Sequence, residues 1–348
     1  MKRLFVFLFI ASIGISFFVL PGCKTSVAYS GLRPADINLP QDIKTVVLLN
    51  RYKADRRNAW MNVLEGIFTG EILFADRRGV EFALSALQQR LASGPKYRVV
   101  IANEQLFGSG TGMLPPPLLQ SEIATLCQRH QADAVIAIEA FDSDIMIRTE
   151  PRQRKRTVDG KEVIEHFVEA MEIVNITVGW RIYMASGSVI DQHQMATSRT
   201  FTARGDNIAQ AQARLLFPME AIMQTGSMAG DAYGIRIAPS WVSYHRQIFS
   251  RASGLPGMKK ARRMAQRGDW KDAALIWERL SKSDDSRVSK RSLYNLAVAA
   301  EMEGDFEKAL DFARRAANQY GLREADRYIR VLSFRMAEIQ RLDYQMQE

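Results

Sequence analysis

Gly268-Asp269-Trp270-Lys271-Asp272-Ala273-Ala274-Leu275-Ile276-Trp277 returns, at an offset of 36 residues, as Gly304-Asp305-Phe306-Glu307-Lys308-Ala309-Leu310-Asp311-Phe312-Ala313. Both stretches read Gly-Asp-aromatic, two polar residues, then Ala and an apolar run. A Gly in that place ends a helix at a turn where a side chain would be strained. The aromatic, Trp270 or Phe306, then packs into the pair of helices. Ala273 and Ala309, with Ala316 one helical stretch later, let two helices approach closely. Ala261–Ala265 and Leu293–Ala297 supply the helices that precede the two glycines. The pattern predicts helical hairpins stacked side by side.

These residues resemble the tetratricopeptide repeat, whose usual period is 34. The longer period here fits the polar linker Ser281–Ser286. The resemblance covers residues 258–320 and implies a module that binds another protein, making the chain a scaffold or assembly factor. Two repeats leave apolar end faces uncovered. Residues 240–252 read as a further helix on one side. Residues 322–345, with Tyr328, Ile329, Leu332, Phe334, Met336, Ile339 and Leu342, read as a capping helix on the other. Residues 251–348 hold 20 Lys or Arg against 15 Asp or Glu. That excess is read as a solvated surface rich in Arg, with a concave basic groove for an acidic peptide as the other reading.

Upstream the periodicity changes. Lys44–Asn50, Tyr97–Ala102 and Ala134–Phe141 are short apolar, β-rich runs. Helical patterns over 62–92 and 118–131 separate them, which predicts an α/β layer with parallel strands. Residues 162–184 and 188–203 alternate around the turn Ala185-Ser186-Gly187-Ser188, a hairpin signal. A helix over 206–224 and another beginning near Pro239 follow. The expected fold is an α/β mixed-sheet domain over 43–238, then an all-α, tetratricopeptide-like helical hairpin array over 239–348.

The amino terminus has three parts. Lys2 and Arg3 are followed by the uncharged run Leu4–Leu20, with five Phe, and then by Leu20-Pro21-Gly22-Cys23. Positive start, apolar core and small-residue site make a secretory signal. With a Cys after the small Gly22, the segment resembles the lipobox of bacterial lipoproteins. That resemblance implies a signal peptide over 1–22, lipid on Cys23, and a lipidated tether over 23–42. Lys24, where inner-membrane retention signals carry Asp, implies a gram-negative outer-membrane lipoprotein facing the periplasm. Loss of Lys2 and Arg3 takes the formal charge from +9 to +7, which selects no class of partner.

The search for chemistry names little. Cys127, in Glu122–Cys127, reads as a small core hydrophobe, so no disulfide to Cys23 is expected. His130, His166, His193 and His245 lack the spacing of metal ligands, and no cofactor is expected. The glycine-rich Gly108–Gly112 has no following Lys-Ser/Thr, and Pro115-Pro116-Pro117 replaces the helix start of a phosphate loop. Arg148 and Arg152–Arg156 form a basic loop, read as solvated charge with contact to anionic head groups or lipopolysaccharide as the other reading, and nucleic acid is not an expected partner. Asp142 and Asp144 end the third strand, where α/β proteins place ligands. They carry the alternative reading, a periplasmic ligand-binding or sensing lipoprotein. No catalytic motif is found, and no enzyme is expected.

Overall fold

The structure is a computed structural model that describes residues 24–52, 69–104, 106, 108 and 113–347. Cys23, the signal segment and residues 62–68 lie outside the described residues. A mixed-sheet domain over residues 24–249 is followed by a run of helices over 256–346, the fold class the periodicity predicts.

The larger sheet holds β2 (Thr45–Asn50), β3 (Arg98–Ile101), β4 (Ala134–Val158), β5 (Lys161–Met184) and β6 (Val189–Gly205), in the order β3-β2-β4-β5-β6. β2 pairs parallel with β3 and β4, through Val47↔Val100 and Val47↔Val135; β5 and β6 add antiparallel. The apolar runs of β2 and β4 are continuous because helices cover both faces. Val46, Leu48, Ala134 and Ile136 face α1 (Thr69–Ser93) and α4 (Pro218–Ile237), while Val47, Leu49, Val135 and Ala137 face α2 (Gln120–His130). Cys127 is buried on that second face among apolar neighbours, as a core side chain.

α1 and α4 pack at backbone range. A Cβ on Gly226 would lie 2.5 Å from Gly79 O, and one on Gly230 only 1.9 Å from Ala83 O. Gly226, Gly230 and Gly234 recur every four residues, so they share one face of α4 and let the helices touch.

Four local expectations are corrected. The helix expected over 206–224 is two helices, α3 (Ile208–Ala213) and α4, because Pro218 has no N–H and disfavours helix at the residue before it. The helix expected from Pro239 is a strand, β7 (Ser240–Phe249). Val242, Tyr244, Arg246 and Ile248 turn inward on a period of two. The tether expected at 23–42 begins, among the described residues, with strand β1 (Lys24–Arg33), which pairs with β7 in a two-stranded sheet. After it, Gln345 accepts from Ala35 N at 2.8 Å and donates to Ala35 O at 3.1 Å. Finally, Arg152–Arg156 is not a loop. β4 and β5 continue as a long ribbon to the turn at Asp159-Gly160, so this run lies within β4.

By contacts the chain divides into two units. One contains Ser30–Val242 and Ala337 onward; the other contains the described residues up to Tyr29 with Ser243–Met336. The second unit is built on α5 (Pro256–Gln266), α6 (Trp270–Leu280), α7 (Ser286–Met302), α8 (Phe306–Asn318) and the first half of α9 (Arg323–Met346). α5–α6 and α7–α8 are antiparallel-type hairpins with short turns, sharing a core around Trp277, Ala297 and Ala313.

Candidate functional site

In the helical unit the sequence-nominated positions fall at equivalent places in the two hairpins. Gly268 and Gly304 have φ of +90° and +80°. Around the first, Gly268 N donates to Ala265 O at 3.1 Å and Asp269 N to Met264 O at 3.0 Å. Around the second, Gly304 N donates to Glu301 O at 3.0 Å and Asp305 N to Ala300 O at 2.9 Å. This is one C-terminal capping motif used twice. Trp270 and Phe306 open α6 and α8 and pack half-buried on the shared core. Ala273, Ala309 and Ala316 are fully buried.

The inner face of these helices was not legible. From Ser292 to Glu301 α7 is buried on every side, including Asn295 and Glu301, so something covers the face turned away from α6 and α8. The cover is β7 and the start of β1. Asn295 acts as a substitute strand partner: its Nδ2 donates to Phe249 O at 2.9 Å, and Phe249 N donates to its Oδ1 at 2.8 Å. Glu301, whose side chain has no exposed surface, receives both Nε and Nη2 of Arg246, at 2.8 and 2.6 Å. Tyr29 OH donates to it at 2.8 Å, and Tyr328 OH donates as well. Tyr29 stacks on Tyr244 with centroids 5.2 Å apart, and the Arg335 guanidinium lies 4.3 Å from the Tyr244 centroid. Burial and the Glu301 charge both raise the Tyr29 pKa. Burial opposes the Arg246 charge, but the bonds to Glu301 outweigh it and raise its pKa. A bidentate guanidinium held this way is a fixed support.

The opposite side of the array is open. A cleft of about 90 Å³ lies between α6, α7 and α8, with Glu278, Glu303, Lys308 and Phe312 in its walls. Leu275, on α6, is 63% exposed.

In the sheet unit, Asp142 and Asp144 do not end the third strand; they sit within β4. A bulge at Glu139, between the pairs Ile138↔Trp180 and Ala140↔Gly179, reverses which residues face α1 and α4. Before it Ile136 and Ile138 turn that way; after it Phe141 and Ser143 do. The bulge therefore puts Asp142 and Asp144 on the exposed face, opposite Thr177 and Asn175. Burial and then the Asp144 charge raise the Asp142 pKa. Glu139 itself is buried and bonded by Arg51 and by Tyr183 OH at 2.5 Å, with Arg181 3.8 Å away. Arg181 also donates to Pro115 O at 2.6 Å, fastening the proline-rich loop.

Two further carboxylates were missed because nothing in their sequence context marks them as buried. Asp76, on α1, receives Ser143 OH, and burial raises its pKa to about 7. Glu172, on β5, is fully buried with neither carboxylate oxygen bonded, and burial raises its pKa to about 7. The basic run of β4 faces acids across the ribbon: Arg154–Glu165 at 2.7 Å, Lys155–Glu162 at 3.3 Å and Arg152–Glu169 at 3.6 Å. Near the C-terminal end of β3, a cleft of about 290 Å³ is lined by Glu104, Leu106, Ser121, Glu122, Thr125, Leu126 and Arg129. Burial pushes Glu104 up, but bonds from Arg129, its own backbone and His130 outweigh it and hold the pKa near 2. Among the described residues, no three His, Cys, Asp or Glu converge as a metal site.

The family described as Domain of unknown function (DUF8603) matches residues 43–249, and Domain of unknown function (DUF6340) matches residues 259–337. No curated protein matches the sequence. Among solved structures, the chain is similar to a proposed neuraminyllactose-binding hemagglutinin homolog from Helicobacter pylori. Identity is 14%, with 56% of this chain and 80% of that chain covered and a TM-score of 0.25, too low to carry an argument.

Proposed function

We propose, for a chain that belongs to the DUF8603 family, an envelope lipoprotein held on a membrane by lipid on Cys23, whose tetratricopeptide-like helices bind another protein. The carrying observation is the repeated hairpin: the same Gly cap, aromatic and buried Ala in α5–α6 and α7–α8. The binding surface is the open cleft side, because the inner face is already filled by β7 and β1. Phe312 lies in the cleft wall among Glu278, Glu303 and Lys308, and Leu275 is exposed on α6 next to the lining Ala274; apolar side chains ringed by charge have the make-up of a protein contact.

The test is crosslinking and co-purification from native envelopes, comparing the full chain with Leu275→Glu/Phe312→Glu. A truncation after Gly257 is the wrong comparison, since it strips the cover from Val27, Ile248 and Phe249. Loss of one specific partner with the surface variant supports the reading. An unchanged set of partners refutes it.

A ligand-binding role for the sheet unit finds its support in the cleft beside β3 rather than at Asp142 and Asp144. Strand carboxyl ends are where α/β sheets take ligands, and Arg129 there is 58% exposed.

A further inference from the structure

We propose that the surface around Lys24 is seated on anionic lipid headgroups, so that the helical unit lies against the membrane instead of hanging from it. The inference rests on the lipid-anchor reading and adds an orientation to it. Lys24, the first described residue, is already part of the folded unit: its Nζ bonds Glu324 at 2.9 Å and lies 5.1 Å from the Phe249 ring centroid. Cys23 is its chain neighbour, and one residue of chain spans at most about 3.6 Å. A lipid on that thiol leaves no slack between bilayer and fold.

The surface at that point is basic. Arg291 covers the same Phe249 ring at 5.0 Å, and its Nη1 donates to Arg251 O at 2.7 Å. Arg287, Arg291 and Asn295 are spaced by four on α7, so the two arginines continue the face that holds β7. Arg327, on α9, is close enough for its charge to act on Glu324 and Tyr294. Arg251, Arg287 and Arg327 are exposed. Of the acids here, Glu324 is engaged with Lys24, and Asp285 with Arg287 N at 2.8 Å and with Ser253, while Asp284 and Asp326 are exposed. α7 and α9 also point their N-termini, the positive ends of their dipoles, toward this end. Lys24 and the four arginines outnumber these four acids, two of which are engaged, so the surface beside the anchoring residue fits an anionic membrane better than a zwitterionic one. Each Lys or Arg near such a surface multiplies its hold by roughly five.

The test uses the full chain, purified from membranes and reconstituted into vesicles of phosphatidylcholine alone or of phosphatidylcholine with phosphatidylglycerol. Labelling by a polar maleimide is timed for Ser286→Cys, beside Arg287, and for Glu307→Cys, at the far end of α7–α8; Cys127 is buried. Phosphatidylglycerol is expected to slow labelling at Ser286→Cys by about fivefold or more. High salt should reverse this, Arg251→Glu/Arg287→Glu should abolish it, and Glu307→Cys should not respond. Equal labelling at Ser286→Cys in both vesicles, or equal slowing at both positions, overturns the proposal. The mass of the N-terminal peptide decides the anchor separately. An acylated Cys23 with an unprotected Ser286→Cys keeps the anchor and sinks the orientation. A bare Cys23 with protection sinks the anchor and keeps the basic surface.

Discussion

Glu301→Ala should be the most damaging single substitution in the helical unit. The carboxylate accepts two bonds from Arg246 and one each from Tyr29 and Tyr328, in a place where its own side chain has no exposure and that of Arg246 has 13%. Removing it strands a guanidinium and two hydroxyls away from water. Breaking one side of a buried ion pair costs about 3–5 kcal/mol, and much of the loss of the tyrosine bonds is contained in that figure. With a urea slope of about 2 kcal/mol/M, a loss of about 4 kcal/mol lowers the midpoint by about 2 M. The assay is urea titration read by hydrogen exchange in peptides from α7 and α8, which isolates this unit's transition. Arg246→Met/Glu301→Met removes both charges, keeps apolar volume, and should regain most of the loss. A midpoint shift under about 0.5 M, or a double variant no better than Glu301→Ala, would refute the view that this pair fixes the strands to the helices.

Gly304→Ala forces φ of +80° on a side chain that meets nothing within 4 Å, so only backbone strain is added, about 1 kcal/mol by urea titration. A loss above about 3 kcal/mol would mean the turn does more than reverse the chain. Gly230→Ala meets Ala83 O and must push α4 off α1, costing about 1–3 kcal/mol and raising exchange in both helices; unchanged exchange would contradict the close crossing. Asp76 and Glu172 have folded pKa values near 7, above those of the unfolded chain. Between about pH 4 and 7 the native state therefore holds more protons, and stability falls as pH rises through that window. Asp76→Asn/Glu172→Gln should flatten the fall, and an unchanged profile of midpoint against pH would refute the assignment.

The legible parts were those set by short-range pattern. Val46–Leu49 and Ala134–Ile138 are apolar at every position because both faces are covered. Val174–Tyr183 with the turn at Ser186-Gly187 could only be a hairpin arm. Gly226, Gly230 and Gly234 mark one face of α4, and Gly79 and Ala83, also four apart, mark the face of α1 they touch, but that these two faces meet is decided only when the chain folds. Asp142 and Asp144 were misplaced because a bulge is one unpaired residue, and Glu139 looks like any other strand residue until β5 is beside it. The Arg152–Arg156 run looked like free charge because Glu162 and Glu165, which face it, become neighbours only when the strands pair.

By itself the sequence determined the alternation of strands and helices, the repeated helix ends at Gly268 and Gly304, and the fold class, since each depends on residues within a turn or two of one another. Tertiary structure decided the rest. Residues 240–249 carry aromatic and β-branched side chains that tolerate either a helix or a strand. They become β7 because β1 offers backbone partners on one side and Asn295 and Glu301 offer side-chain partners on another. A strand's hydrogen bonds are made to other parts of the chain, so its existence is a property of what lies beside it.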